Sequence, residues 1–144
     1  MDDQPLRLSI KYHCNTADTR QSGLMFKPPL KDNECAFFSF PYSNHLSFWN
    51  KNVNFDIVVI FVDEDFNIKD KKILKAHQTH PVSCNIPCKY AIEILAENFG
   101  KISEFNKAHH AGDMIELMKK NAKSKNFGNE DFQKIANSYY KSIR

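Results

Sequence analysis

No stretch of the 144 residues approaches the ~20 consecutive apolar side chains that a bilayer-spanning helix needs, so no membrane span is expected. The start, Met1-Asp2-Asp3-Gln4-Pro5, is acidic and polar, without the basic and apolar regions of a secretory signal. The chain therefore reads as cytoplasmic, or as a mature form from which a signal has been cut. Charge of one sign is scarce as well: 20 Lys and Arg stand against 17 Asp and Glu, a formal net charge of +3. That surplus is too small to imply nucleic acid as a partner, and it sits mainly from Lys119 onward. The four cysteines, Cys14, Cys35, Cys84 and Cys88, are too few to declare a disulfide framework in a domain of this size. There is no P-loop, no dinucleotide fingerprint, no G-x-S-x-G and no H-E-x-x-H, and no cofactor is expected. No internal repeat or low-complexity segment is present.

What is present suits one globular domain. Hydrophobic residues make up 42% and charged residues 26%, close to globular norms, so the bulk of the chain is not expected to be disordered. Twelve phenylalanines cluster towards the first half. They read as core, because a buried Phe contributes roughly 1.5–3 kcal/mol.

Leu6, Leu8, Ile10 and Tyr12 alternate with polar neighbours, which predicts a half-buried strand. Thr16 to Met25 reads as a short helical turn, capped by Thr16 or Thr19 and stopped near Gly23. Pro28-Pro29 breaks regular structure. Ala36-Phe37-Phe38-Ser39-Phe40 predicts an aromatic strand, Pro41 to His45 a turn or loop, and Leu46 to Trp49 the start of another strand. Asp56 to Val62 is the strongest strand signal, β-branched and continuous, as in a strand covered on both faces. Asp63-Glu64-Asp65 turns the chain into a return strand beginning at Phe66. Thr79 to Pro87 is loop-like. Tyr90 to Leu95 fits either a helix or a strand. Ala96 to Asn106 predicts a short helix, and Met114 to Leu117 a last strand after the Gly112-Asp113 turn.

Residues 1–120 are thus expected to form a β-barrel or sandwich domain, and residues 121–144 a linker followed by a helix. Asn129 caps that helix, and Phe132, Ile135, Ala136, Tyr139 and Ile143 fall on one face. The stripe would pack on the chain's own barrel or on a partner protein.

These segments resemble, in order, the motifs of the "domain of unknown function 192" family. Thr16 to Phe26 is similar to its "T-x-x-x-R-x-x-G-L-M" segment, Phe37 to Phe40 to "M-L-F-x-F", and Phe48 to Val53 to "F-W-M-K-N-T". Asp56 to Asp63 resembles "L-D-I-x-F-I-D", Tyr90 to Ile94 resembles "Y-V-L-E-L", and Gly112-Asp113 a later "G-D". The resemblance covers roughly Leu6 to Leu117. It implies a mainly β fold: a single small barrel or sandwich with short helices, here with an added C-terminal amphipathic helix. It implies no established biochemical function, and many members look exported. Three departures stand out. Asn50 replaces the methionine of "F-W-M", Cys35-Ala36-Phe37-Phe38 replaces "G-M-L-F", and the tail is extra.

The resemblance also selects Arg20, Trp49, Asn52 and Asp56 as a candidate ligand-binding set. Arg offers a planar fork for carboxylate or phosphate, Trp a stacking face, and Asn both donors and an acceptor. Together they would form a polar cleft for a small polar or anionic ligand. The plainer reading is that Arg20 and Asp56 form an ion pair or cap backbone groups, with Trp49 in the core. His77, His80, Cys84 and Cys88 carry zinc-ligand chemistry at a spacing unlike a standard finger. A Cys84–Cys88 disulfide, which the resemblance suggests, and free thiols are the rival readings. His109-His110 beside Asp113 could supply a general base, with no nucleophile in view. Asp63, Glu64 and Asp65 fit a solvated turn better than paired catalytic carboxylates.

Three functions follow as expectations. The first is a non-catalytic ligand-binding or accessory β-domain. The second is a hydrolase or lyase using Asp56 or His110 as acid or base. The third is an interaction or assembly protein, for example a phage-borne or host accessory factor, acting through Asn129 to Arg144.

Overall fold

In the computed structural model, residues 4–102 and 105–119 are described. The expected linker and helix of residues 121–144 lie outside them. Among the described residues, nine strands order as β1 Leu6–Cys14, β2 Glu34–Asn44, β3 Ser47–Phe48, β4 Ile57–Val62, β5 Ile68–Leu74, β6 Val82–Ser83, β7 Cys88–Leu95, β8 Phe105–Ala111 and β9 Met114–Lys119. A six-residue helix α1, Ala17–Ser22, follows β1, and a 3₁₀ helix, Ala96–Ile102, follows β7. The fold is mainly β, as expected.

Seven strands form one sheet in the order β5-β4-β7-β2-β1-β9-β8, and β3 pairs with β6 apart from it. Among the described residues, only β1 and β2 run parallel. The sheet curls until its two edges touch: Asn67 bridges Lys107, and the Ala108 amide donates to the Phe66 carbonyl at 2.8 Å. Curling removes most of the exposed edge that an open sheet would present.

Each central strand feeds two cores, one per face. Leu8, Cys35, Phe37, Val58, Ile60, Ile92, Ile94, Ile115 and Leu117 fill the inside of the curl. Ala36, Phe38, Val59, Phe61 and Ala91 face outward into a second core, covered by Leu24, Leu46, Val53 and Phe55 from the loops. All six residues of β4 are buried, which explains its unbroken apolar sequence. In β1 the pairing register shifts between Ile10 and Tyr12. Leu8 and Ile10 therefore join the inner core, while Tyr12 and Cys14 join the outer one. A bulge flips the faces of a strand in this way.

Four local expectations change. Pro41 to Asn44, read as a turn, continues β2, although its ladder is interrupted between Ser39 and Asn44 where Pro41 has no N–H to donate. The strand expected from Leu46 to Trp49 shrinks to Ser47–Phe48, paired with Val82–Ser83 from a stretch read as loop. Tyr90 to Leu95 is strand, because it supplies the ladder between β2 and β4. The helix after Ala96 ends at Ile102, and Phe105 and Asn106 open β8. Cross-strand pairing with β9 and burial of Phe105 override the local helical preference there.

Candidate functional site

The outer core does not close over the sheet everywhere. A cleft of about 410 Å³ opens between α1, the β3 segment and the centre of the sheet. That size suits a small organic ligand.

Its first wall is α1. Thr16 caps the helix, with reciprocal bonds between the Thr16 and Thr19 side chains and backbones at 2.9 and 3.1 Å. Gly23 ends it at φ +45°, a conformation costly for a side chain, and an added Cβ would sit 3.5 Å from the Phe38 ring. The capped turn holds Arg20 over β2. There the Arg20 Nη1 donates to the Ser39 carbonyl at 2.8 Å, and the guanidinium lies 5.0 Å from the centre of the Phe40 ring. One donor is thus spent on positioning, and no carboxylate pairs with Arg20 among the described residues.

The second wall is aromatic. Phe48 packs edge-on against Phe38 (5.1 Å) and Phe40 (6.2 Å). Trp49 stands at the mouth, 47% exposed, with the Lys51 ammonium 5.3 Å from its ring. Asn50 is buried beside it, and its Nδ2 donates to the carbonyls of Phe55 and Lys75, both at 3.0 Å. Asn50 thereby pins the cleft loop to the end of β5.

The floor carries the least expected group. Glu93 on β7 is 3% exposed and stands in register with Ala36 of β2 and Val59 of β4. Its carboxyl makes no hydrogen bond or ion pair among the described residues, yet it lines the cleft. Burial pushes it up to about 8, so the acid is protonated at neutral pH.

The four residues expected to form one site do not converge. Arg20 and Trp49 line the cleft. Asn52 faces a separate hollow of about 380 Å³ with Phe26, Lys27, Pro28, Asn54 and His77. It adopts φ +59°, and its carbonyl accepts from the Phe26 amide at 2.9 Å. Asp56 lies at the surface. Its Oδ1 accepts from the Ala76 amide at 2.7 Å, and Lys75 stands 3.8 Å away. Asp56 thus fastens the end of β5 rather than pairing with Arg20.

No group of three or more metal-ligating side chains comes together among the described residues. His77 and His80 are exposed, whereas Cys84 and Cys88 are buried free thiols. Burial and the neighbouring Cys84 push the Cys88 thiol up to about 12. His110 lies among the inner-face rings, 4.7 Å from Phe37, and its Nε2 donates to the Gly112 carbonyl at 2.9 Å. Burial lowers His110 and takes His109 down to about 4. Asp63 accepts from the Asp65 and Asn67 amides, both at 2.9 Å, as an ordinary turn former.

A family model described as "Uncharacterized ACR", the domain of unknown function 192, matches residues 2–106. The chain belongs to that family. The match spans α1, the cleft loop and β7, so every wall of the cleft is family structure. Among functionally curated proteins, none matches the chain. Two solved structures share the fold. One is a protein of unknown function from Novosphingobium aromaticivorans DSM 12444, 21% identical, covering 66% of this chain and 69% of that one, with a TM-score of 0.62. The other comes from Sinorhizobium meliloti 1021 and is described as a "putative transcription regulator". It is 17% identical and covers 76% of this chain and 81% of that one, with a TM-score of 0.64. Neither likeness carries an activity across, and the biochemical function of the family is unknown.

Sequence reasoning passed over Glu93, although the residue lies in the family-like segment Tyr90 to Ile94. The available signal was a lone carboxylate between Ile92 and Ile94. In a strand buried on both faces, such a residue must face something other than water.

Proposed function

We propose that this chain is a small-ligand-binding module, and that its ligand sits in the cleft between Arg20 and Glu93 beside Phe48 and Trp49. One observation carries the reading: a carboxyl buried in an apolar core, without a partner, on the wall of an open cleft. A carboxyl with no protein hydrogen bond at the surface of a cleft is left to pair with whatever fills that cleft. A ligand that hydrogen-bonds Glu93 fills that role. Arg20 adds a positive charge already aimed by Ser39 and Phe40, and the rings offer apolar contact area.

Asp56 or His110 acting as acid or base has less support. Asp56 is already satisfied by the Ala76 amide, and His110 sits among the inner-face rings, apart from the cleft lining.

Trp49 is the sole tryptophan and reports directly on the cleft. Titration with a panel of organic acids and sugars should change its fluorescence and raise the melting temperature for at least one class. Arg20→Met should abolish both responses. A panel that moves neither signal would remove the reading.

A further inference from the structure

We infer that the ligand is an organic monoanion, with its acid group on Arg20, an apolar ring or branched chain along Phe38, Phe40 and Phe48, and a neutral hydroxyl or carbonyl on the Glu93 carboxyl. This deepens the binding-module reading and rests on it. Three observations lead there.

First, the two ionisable side chains of the cleft lining do not pair. Arg20 and Glu93 line the same cleft without an ion pair between them. Burial alone moves the Glu93 carboxyl, and no cation is near enough to pull it back down. Arg20 therefore remains open to an acid group and Glu93 to a neutral polar group of the ligand.

Second, the surface between them is apolar and aromatic. Phe38, Phe40 and Phe48 line the cleft together with Leu24, Met25 and Val53. An apolar body matches that wall, and burying it supplies most of the binding free energy.

Third, the charge pattern is lopsided. Glu93 faces Ala36 and Phe38 on β2 and Val59 on β4, none of which titrates. From β1 the nearest titratable group is Cys14, whose thiol is raised to about 11 by burial first and by Glu93 second. From the α1 side come Arg20 and Lys27, and Lys27 is occupied, its Nζ donating to the Gly23 carbonyl at 2.8 Å above the Tyr12 ring. With Glu93 protonated, Arg20 is the charged side chain of the cleft lining, and Glu93 joins Gln21, Ser22 and Ser47 as a neutral group that both donates and accepts. A monoanion with a neutral tip complements that pattern. An amine would require Glu93 to give up its proton first.

The test uses the full chain and two probes that share a ring and a hydroxyl. They are para-hydroxyphenylacetate, an anion, and tyramine, a cation. Affinities are read from Trp49 fluorescence at about pH 6.5 and about pH 9. The anion should bind, and roughly tenfold more weakly at the higher pH, because only the protonated Glu93 accepts it. Glu93→Gln, a permanently neutral isostere, should bind the anion with no such pH dependence. Arg20→Met should lose it at both pH values. Tyramine binding better than the anion, or affinity rising with pH, overturns the monoanion assignment while leaving the cleft a binding site. If neither probe binds, this inference falls, and the broader panel then decides the binding-module reading separately. Should Glu93→Gln fail to fold, the wild-type pH dependence decides the question alone.

Discussion

Arg20 on one wall and Glu93 on the floor line the same cleft, and each lacks the partner that the other could have been. Arg20 is held by the Ser39 carbonyl and the Phe40 ring, while Glu93 is held by the backbone of β7 alone. An ion pair would have relieved both groups at the expense of the open space between them. The consequences for stability and reactivity can be measured.

Glu93 should make the protein less stable as pH rises. The unfolded chain ionises this carboxyl near 4.5, whereas the folded chain holds its proton to about 8. Between those values the native state binds the extra proton, so stability falls with increasing pH. The group imposes no penalty below about pH 4.5 and its full penalty above about pH 8. Urea unfolding of Glu93→Gln should therefore show a gain over wild type that grows across this window to roughly 2–5 kcal/mol. Parallel stability curves for the two proteins would mean that Glu93 has a partner in solution.

Asn50→Ala should cost about 2–3 kcal/mol, because the Phe55 and Lys75 carbonyls lose their donor in a buried place. The loss should appear as a lower denaturation midpoint with an unchanged slope. Ligand affinity should also weaken, since the loop carrying Trp49 loses its anchor to β5.

Asp56→Ala should cost only about 1 kcal/mol, the value of one partly exposed hydrogen bond to the Ala76 amide. Affinity in the cleft should not change, which separates Asp56 from Arg20. A large loss of affinity without loss of stability would place Asp56 in the site after all.

The cysteines should be inert in the native state. All four are buried, and burial pushes Cys14 to about 11, Cys88 to about 12 and Cys35 upward as well. Thiolate is the reactive form, so labelling by an aromatic disulfide reagent near neutral pH should wait on unfolding. Fast labelling of any thiol in the folded protein would contradict this burial.

Much of the fold is legible along the chain. The alternation of Leu6 to Ile10, the apolar run of β4, the Asp63 turn and the Thr16–Gly23 helix signals each depend on neighbours within a few residues. The resemblance between Leu6 and Leu117 placed those pieces in order. The β1 bulge was not legible, because Leu8, Ile10, Tyr12 and Cys14 keep an unbroken period of two. The β8 strand was also hidden, since its hydrogen bonds come from β9 and its preference is set by burial.

The candidate site divides along the same line. The residues Arg20, Trp49, Asn52 and Asp56 stand out by chemical type, which sequence alone determines, together with a mainly β architecture. Which of them share a cavity was decided by the curl of the sheet and by the hydrogen bonds of Asn50, Ser39 and Ala76. Tertiary structure likewise decided that Glu93 belongs with Arg20. A strand dictates only that a side chain points to one face, and the strands alongside it dictate whether that face meets water, protein or an open cleft.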